Sequence, residues 1–133
     1  MKTTTIGYCA TTTLIALETL AGGVTDLTHG RTMLVSGPPV VEVMTQLGYP
    51  IYLLAILGVW KLLGGITLLV PRFPRLKEWA YAGIFFELTG AAASHAALSN
   101  WRELIAPLIL TALTIASWAL RPPNRTLQKN YAA

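Results

Sequence analysis

The chain has 133 residues, of which 53% are hydrophobic and only 12% charged, with a net charge of +4. That charged fraction is about half that of an average soluble domain, and four apolar spans of about 20 residues with their connections use nearly the whole length, so a single membrane domain is expected and a second domain is not. The basic residues fall in short gaps between apolar runs, which argues against nucleic-acid binding, and the lone Cys9 rules out an intrachain disulfide, a CxxC pair and a thiolate metal cluster.

The first apolar run, about 4–25, is rich in threonine and carries Glu18. It is too long and too polar for the central region of a cleaved signal peptide, and it reads as a retained helix. The segment 26–48 that follows is too long for a simple turn. Within it "PPVVEVMTQLG" opens on prolines, sets Val40, Val43, Met44 and Leu47 on one helical face and stops at Gly48, the pattern of a short interfacial helix.

The second run, about 49–70, ends at "PRFPR". The third, about 76–98, contains Glu87 and His95. The fourth, about 104–120, has 17 uncharged residues between Glu103 and Arg121, just enough to cross the hydrocarbon, and "RPP" stops it. The expected fold is therefore all-α: an integral membrane four-helix bundle occupying 1–133, with a short interfacial helix in the first outer loop.

Orientation follows from the basic residues. With a cytoplasmic N-terminus, the inside receives Lys2, Arg72, Arg75, Lys77, Arg121, Arg125 and Lys129, and the outside only Arg31 and Arg102. Both termini are expected in the cytoplasm. Trp79 and Trp118 then fall near inner ends, and Tyr49, Tyr52 and Trp101 near outer ends, as amphipathic rings at an interface do; Trp60 departs from this rule.

An ionisable group inside a span is costly and seeks protein or trapped water. Glu18, Lys61 and Glu87 qualify, and each lies on a stripe of small residues: Thr11, Gly22 and Thr25 with Glu18, Gly58 and Gly65 with Lys61, Gly83, Gly90 and Ser94 with Glu87. Such stripes are the expected packing faces of helices in lipid. Lys61 lies 12 residues before Phe73 and Glu87 14 after it. At about 1.5 Å per residue these are depths of about 18 and 21 Å from a common turn, so a Lys61–Glu87 ion pair is expected.

That pair has two readings. One is a clamp that fixes helix register without chemistry. In the other, Glu18 joins as a second carboxylate, and the excess negative charge is balanced by a proton, a cation or a polar ligand group. His95, two turns beyond Glu87, reads as a group hydrogen-bonded near the outer interface. One intramembrane histidine gives no basis for a metal or haem site. The "LAGG", "LLGG" and "FELTGAAASH" segments lack the strand and GKS/T ending of a phosphate loop, and Ser94 beside His95 points about 100° away from it, so no nucleophile pair forms.

The run "LGYPIYLLAILGVWKLLGGITLLVPRFPRLKEWAYAGIFFELTGAAASHAA", 47–97, resembles the DoxX-like family of small four-helix membrane proteins. The resemblance rests on the Gly-Tyr-Pro entry, the lysine before a small-residue turn, the proline at the cytoplasmic turn, "LKEWAYAG", and an acid followed by "GAAASH". It implies a bundle in a bacterial plasma membrane, with Lys61, Glu87, Ser94 and His95 as pattern positions, Glu87 standing where aspartate is common. Some members of the wider family are subunits of quinone-reducing oxidoreductases. The functional expectation is a multi-pass protein that binds a lipid-soluble molecule such as a quinone, in or with a membrane oxidoreductase. Lys61 and Trp60 would contact the ligand, Glu18 and Glu87 exchange protons, Ser94 line the pocket and His95 relay protons or cap it. The alternative is a non-enzymatic subunit, pairing with a partner membrane protein or with its own copies, whose buried charges only hold helices together. A carrier is disfavoured by the lack of an internal repeat.

Overall fold

A computed structural model describes residues 2–34 and 36–127; Lys129, counted above on the cytoplasmic side, lies outside them. The described residues form five α-helices and no strand: α1 (Thr3–Leu27), α2 (Val40–Leu47), α3 (Tyr52–Leu69), α4 (Pro74–Ala97) and α5 (Trp101–Ala119), followed by a 3₁₀ turn, Pro123–Arg125. Each long helix packs antiparallel on two others. α1 and α4 both lie against α3 and α5, which closes the four into a ring.

α1 accommodates its threonines because their hydroxyls return to carbonyls one turn back. Thr11 donates to Gly7 O at 2.8 Å, Thr19 to Ile15 O at 2.6 Å and Thr25 to Ala21 O at 3.0 Å, so these donors need no water. The helix also runs further than its apolar pattern, to Leu27, before His29 (φ 52°) and Gly30 (φ 77°) turn the chain. Asp26, assigned above to the outer loop, thus belongs to the last helical turn of α1.

α1 and α3 meet backbone to backbone. A Cβ on Gly58 would lie 2.7 Å from Leu27 Cγ and 3.0 Å from Gly23 O, and one on Gly65 would lie 2.6 Å from Leu20 Cγ. Only glycine permits this approach. The stripe on α4 behaves differently: Gly83 and Gly90 have no neighbour within 4 Å and are exposed, so the expectation of a packing face there is corrected. α4 instead buries Lys77, Tyr81, Ile84, Ala92 and His95, and the core gathers Ile15, Ala16, Leu68, Tyr81 and Ile84.

The α3–α4 turn is tight, with Arg72 (φ 72°) and Phe73 (φ 55°) both left-handed and Pro74 starting α4. A non-glycine residue there costs about 1–2 kcal/mol. Lys77 holds the turn. Its Nζ donates to Thr67 O at 2.6 Å, Leu68 O at 2.9 Å and Val70 O at 2.5 Å, satisfying the carbonyls that end α3, and the residue is fully buried. A lysine counted from sequence only as a cytoplasmic-side cation is therefore a cap on α3 supplied by the next helix.

The outward surface is apolar. Ile56, Val59, Trp60, Leu63 and Ile66 on α3 and Phe86 on α4 are all exposed. By length and composition α3 and α5 can each cross a membrane. α1 and α4, at 25 and 24 residues, have the length but more polar sequences. α2 matches the expected amphipathic segment: Met44 is buried, and Gly48 ends the helix in the left-handed conformation.

Candidate functional site

Three helices bring their charges to one point. Lys61 Nζ, on the buried face of α3, lies 2.7 Å from Asp26 Oδ2 of α1 and 3.0 Å from Glu87 Oε1 of α4. The side chains are 20%, 4% and 26% exposed respectively, so Asp26 is sealed inside while Glu87 keeps an open side. One lysine between two carboxylates leaves a formal charge of −1. In a poorly screened interior that excess attracts a hydrogen-bond donor or a cationic group, and Glu87 is the carboxylate open to receive it.

Gly22 packs against this arrangement: a Cβ at that position would lie at ordinary contact distance, 3.5 Å, from Lys61 Nζ. Asp26 is one turn beyond Gly22 on the same stripe, the spacing from which it was recognisable once α1 is known to continue through it. Glu18 is one turn the other way and does not join the cluster. It is half-buried and forms no ion pair among the described residues.

The other expected site residues are dispersed. Trp60 follows the neighbouring direction on α3 and is 66% exposed on the outer surface. Ser94 Oγ bonds to Tyr49 OH at 2.7 Å and donates to Gly90 O at 2.8 Å, tying the α2–α3 connection to the last turns of α4. His95 is buried, and its Nδ1 has no partner among the described residues. It stands two turns along α4 from Glu87, outside the ion cluster.

A second polar region sits nearer the α3–α4 turn and was not foreseen. Ser117 Oγ bonds to both Thr12 Oγ1 (2.6 Å) and Tyr81 OH (2.7 Å), joining α1, α4 and α5. Arg121 Nη2 donates to Glu78 Oε1 at 2.7 Å, and Trp118 Nε1 donates to Glu78 Oε2 at 2.9 Å. The signal in the sequence was positional: Lys77, Tyr81 and Ile84 follow the helical repeat as one stripe, with polar members where core is required.

A helical fold with an apolar outward surface and its charges gathered between helices defines a membrane protein. The profile of the DoxX-like family matches residues 10–117, and the chain belongs to that family of small membrane proteins. No curated protein and no solved structure matches it.

Proposed function

We propose that this protein crosses a bacterial plasma membrane four times, with both termini cytoplasmic, and binds a lipid-soluble molecule bearing carbonyl or hydroxyl groups, such as a quinone, beside the Asp26–Lys61–Glu87 cluster. It acts in or with a membrane oxidoreductase, and the electrons come from that enzyme. The observation that carries this reading is the open side of Glu87. Gly83 and Gly90 flank it one turn either way, and a Cβ on either would meet nothing within 4 Å, so the exposed surface of α4 next to this charged group is free of side chains at both positions. A ring entering from the hydrocarbon would meet Lys61 and Glu87 there without crossing water. Lys61 supplies a hydrogen bond to a carbonyl oxygen, Glu87 exchanges the proton, and Asp26 orients Lys61.

The test is to cover this bare surface. A Cβ at Gly83 or Gly90 meets no neighbour, so Gly83→Leu and Gly90→Leu should fold, which thermal unfolding checks; mass spectrometry of small molecules released from the purified proteins should show a quinone-class compound in the wild type and its loss in the variants. Wild-type protein that releases no such compound and is not stabilised by added quinone overturns the proposal.

The buried Asp26–Lys61 contact favours a second reading, the helix clamp. A clamp predicts that Lys61→Met and Glu87→Gln each destabilise and that Asp26→Asn, Lys61→Met and Glu87→Gln combined recover stability. A ligand site predicts folded single variants at Glu87 with lost binding.

A further inference from the structure

A separate feature lies on the opposite flank of α4 from Gly83 and Gly90. Between α4 and α5 an apolar groove enclosing about 280 Å³ is walled by Ala82, Phe85, Phe86, Ile115 and Trp118. It ends, toward the α3–α4 turn, at Glu78. That carboxylate is already satisfied by Arg121 and Trp118, so the groove offers no free acid.

The charge at this end is one-sided. Lys77, Arg121 and Arg125 stand against Glu78 alone, with Arg72 in the adjoining turn and Arg75 in the first turn of α4, and there is no other acid in 2–9, 70–79 or 117–127. Arg121 is 4% exposed and uses Nη2 on Glu78 and Nε on Trp118 O, while its Nη1 is buried without a partner among the described residues. Its guanidinium lies 5.1 Å over the Tyr81 ring and 5.4 Å over Trp118, both of which line the groove. Arg125, at the same end of the bundle but outside the groove lining, lies over the Tyr8 ring of α1, reaches Tyr8 OH at 3.3 Å and forms no ion pair among the described residues.

We infer that this groove is a binding site for an anionic phospholipid: one acyl chain lies along the apolar walls and the phosphate sits at the basic end, beside Arg121 and Arg125. The two halves of the site match the two halves of that ligand. A purely apolar tail would leave the basic end without a counter-charge, and a zwitterionic lipid would bring its own cation to it. The site rests on the membrane reading but not on the ligand proposed for Glu87, from which α4 itself separates it.

The test uses the full chain in mild detergent, with native mass spectrometry counting bound lipid and thermal unfolding reading stabilisation. Dioleoyl phosphatidylglycerol should bind at one retained copy per chain and more tightly than dioleoyl phosphatidylcholine. Each basic residue near an anionic surface contributes about 1 kcal/mol, so Arg125→Gln should weaken phosphatidylglycerol binding about fivefold and leave phosphatidylcholine unchanged. Ala82→Phe, which blocks the groove from its exposed side, should weaken both lipids, with Ala82→Leu as the smaller replacement where the ring disturbs folding. Inorganic phosphate at matched ionic strength should stabilise far less than the lipid. Equal binding of the two lipids, full stabilisation by phosphate alone, or groove-filling variants with unchanged lipid affinity would each overturn the assignment. Because Gly83→Leu lies on the other flank, its effect on quinone retention is scored independently.

Discussion

Asp26 Oδ2 holds Lys61 Nζ at 2.7 Å from the last turn of α1, while Glu18, two turns earlier on the same helix, makes no ion pair. Asp26 is 4% exposed, so its neutralisation leaves Lys61 with one carboxylate in a partly desolvated position. Breaking a buried pair by removing one partner costs about 3–5 kcal/mol. Asp26→Asn should lower unfolding stability in detergent by about that amount, reduced by the contact Glu87 retains, whereas Glu18→Gln should change it by less than about 0.5 kcal/mol. Equal effects of the two substitutions would refute the assignment of Asp26 as the second carboxylate.

The two glycine stripes should separate just as sharply. At Gly58 an added methyl meets Leu27 Cγ at 2.7 Å and the Gly23 carbonyl oxygen at 3.0 Å, and a backbone oxygen cannot rotate away. Gly58→Ala should therefore push α1 and α3 apart at a cost of about 1–3 kcal/mol, the range for overpacking. At Gly83 the same methyl meets nothing, and the helix gains the intrinsic preference of alanine over glycine, up to about 1 kcal/mol. Denaturation midpoints of the two variants, measured side by side, should move in opposite directions.

These contrasts show which parts of the fold were readable in advance. Long apolar runs bounded by prolines and glycine gave the helices within a few residues, because burial and backbone hydrogen bonding in lipid leave few alternatives. Counting residues from Phe73 brought Lys61 and Glu87 to one level, and they lie 3.0 Å apart. Position around a helix was less legible. The period puts Glu18, Gly22 and Thr25 on one stripe, but not which neighbour that stripe faces; it puts Gly83 on a stripe as good as that of Gly58, though only one of them is packed. Asp26 escaped because the helix outruns its apolar pattern, and Lys77 because a buried lysine satisfied by three carbonyls has the same sequence appearance as a loop cation.

Lys77 gives a prediction of its own. Its three hydrogen bonds end α3 and brace a turn with two left-handed non-glycine residues. Lys77→Met keeps much of the apolar stem but leaves the Thr67, Leu68 and Val70 carbonyls without their donor, and an unsatisfied buried polar group costs about 1–3 kcal/mol. The expected result is a loss of stability accompanied by faster amide exchange confined to the end of α3 and the turn. Uniform acceleration across all four long helices would contradict a local cap.

Ser117 should prove more than an isolated polar residue in a core. Its hydroxyl is bonded to Thr12 and to Tyr81, so a single atom ties α5 to α1 and α4. Ser117→Ala removes little volume but leaves two buried hydroxyls without their partner, which should cost about 1–3 kcal/mol. Tyr81→Phe removes only one of those hydroxyls and should cost less. Once Ser117 is gone, deleting the Tyr81 hydroxyl takes away an unsatisfied group, so the double variant should be more stable than the sum of the singles implies, by about 0.5 kcal/mol or more. A double-mutant cycle on unfolding free energy in detergent measures this coupling directly, and strict additivity would mean that the two hydroxyls do not share a bond in the folded protein.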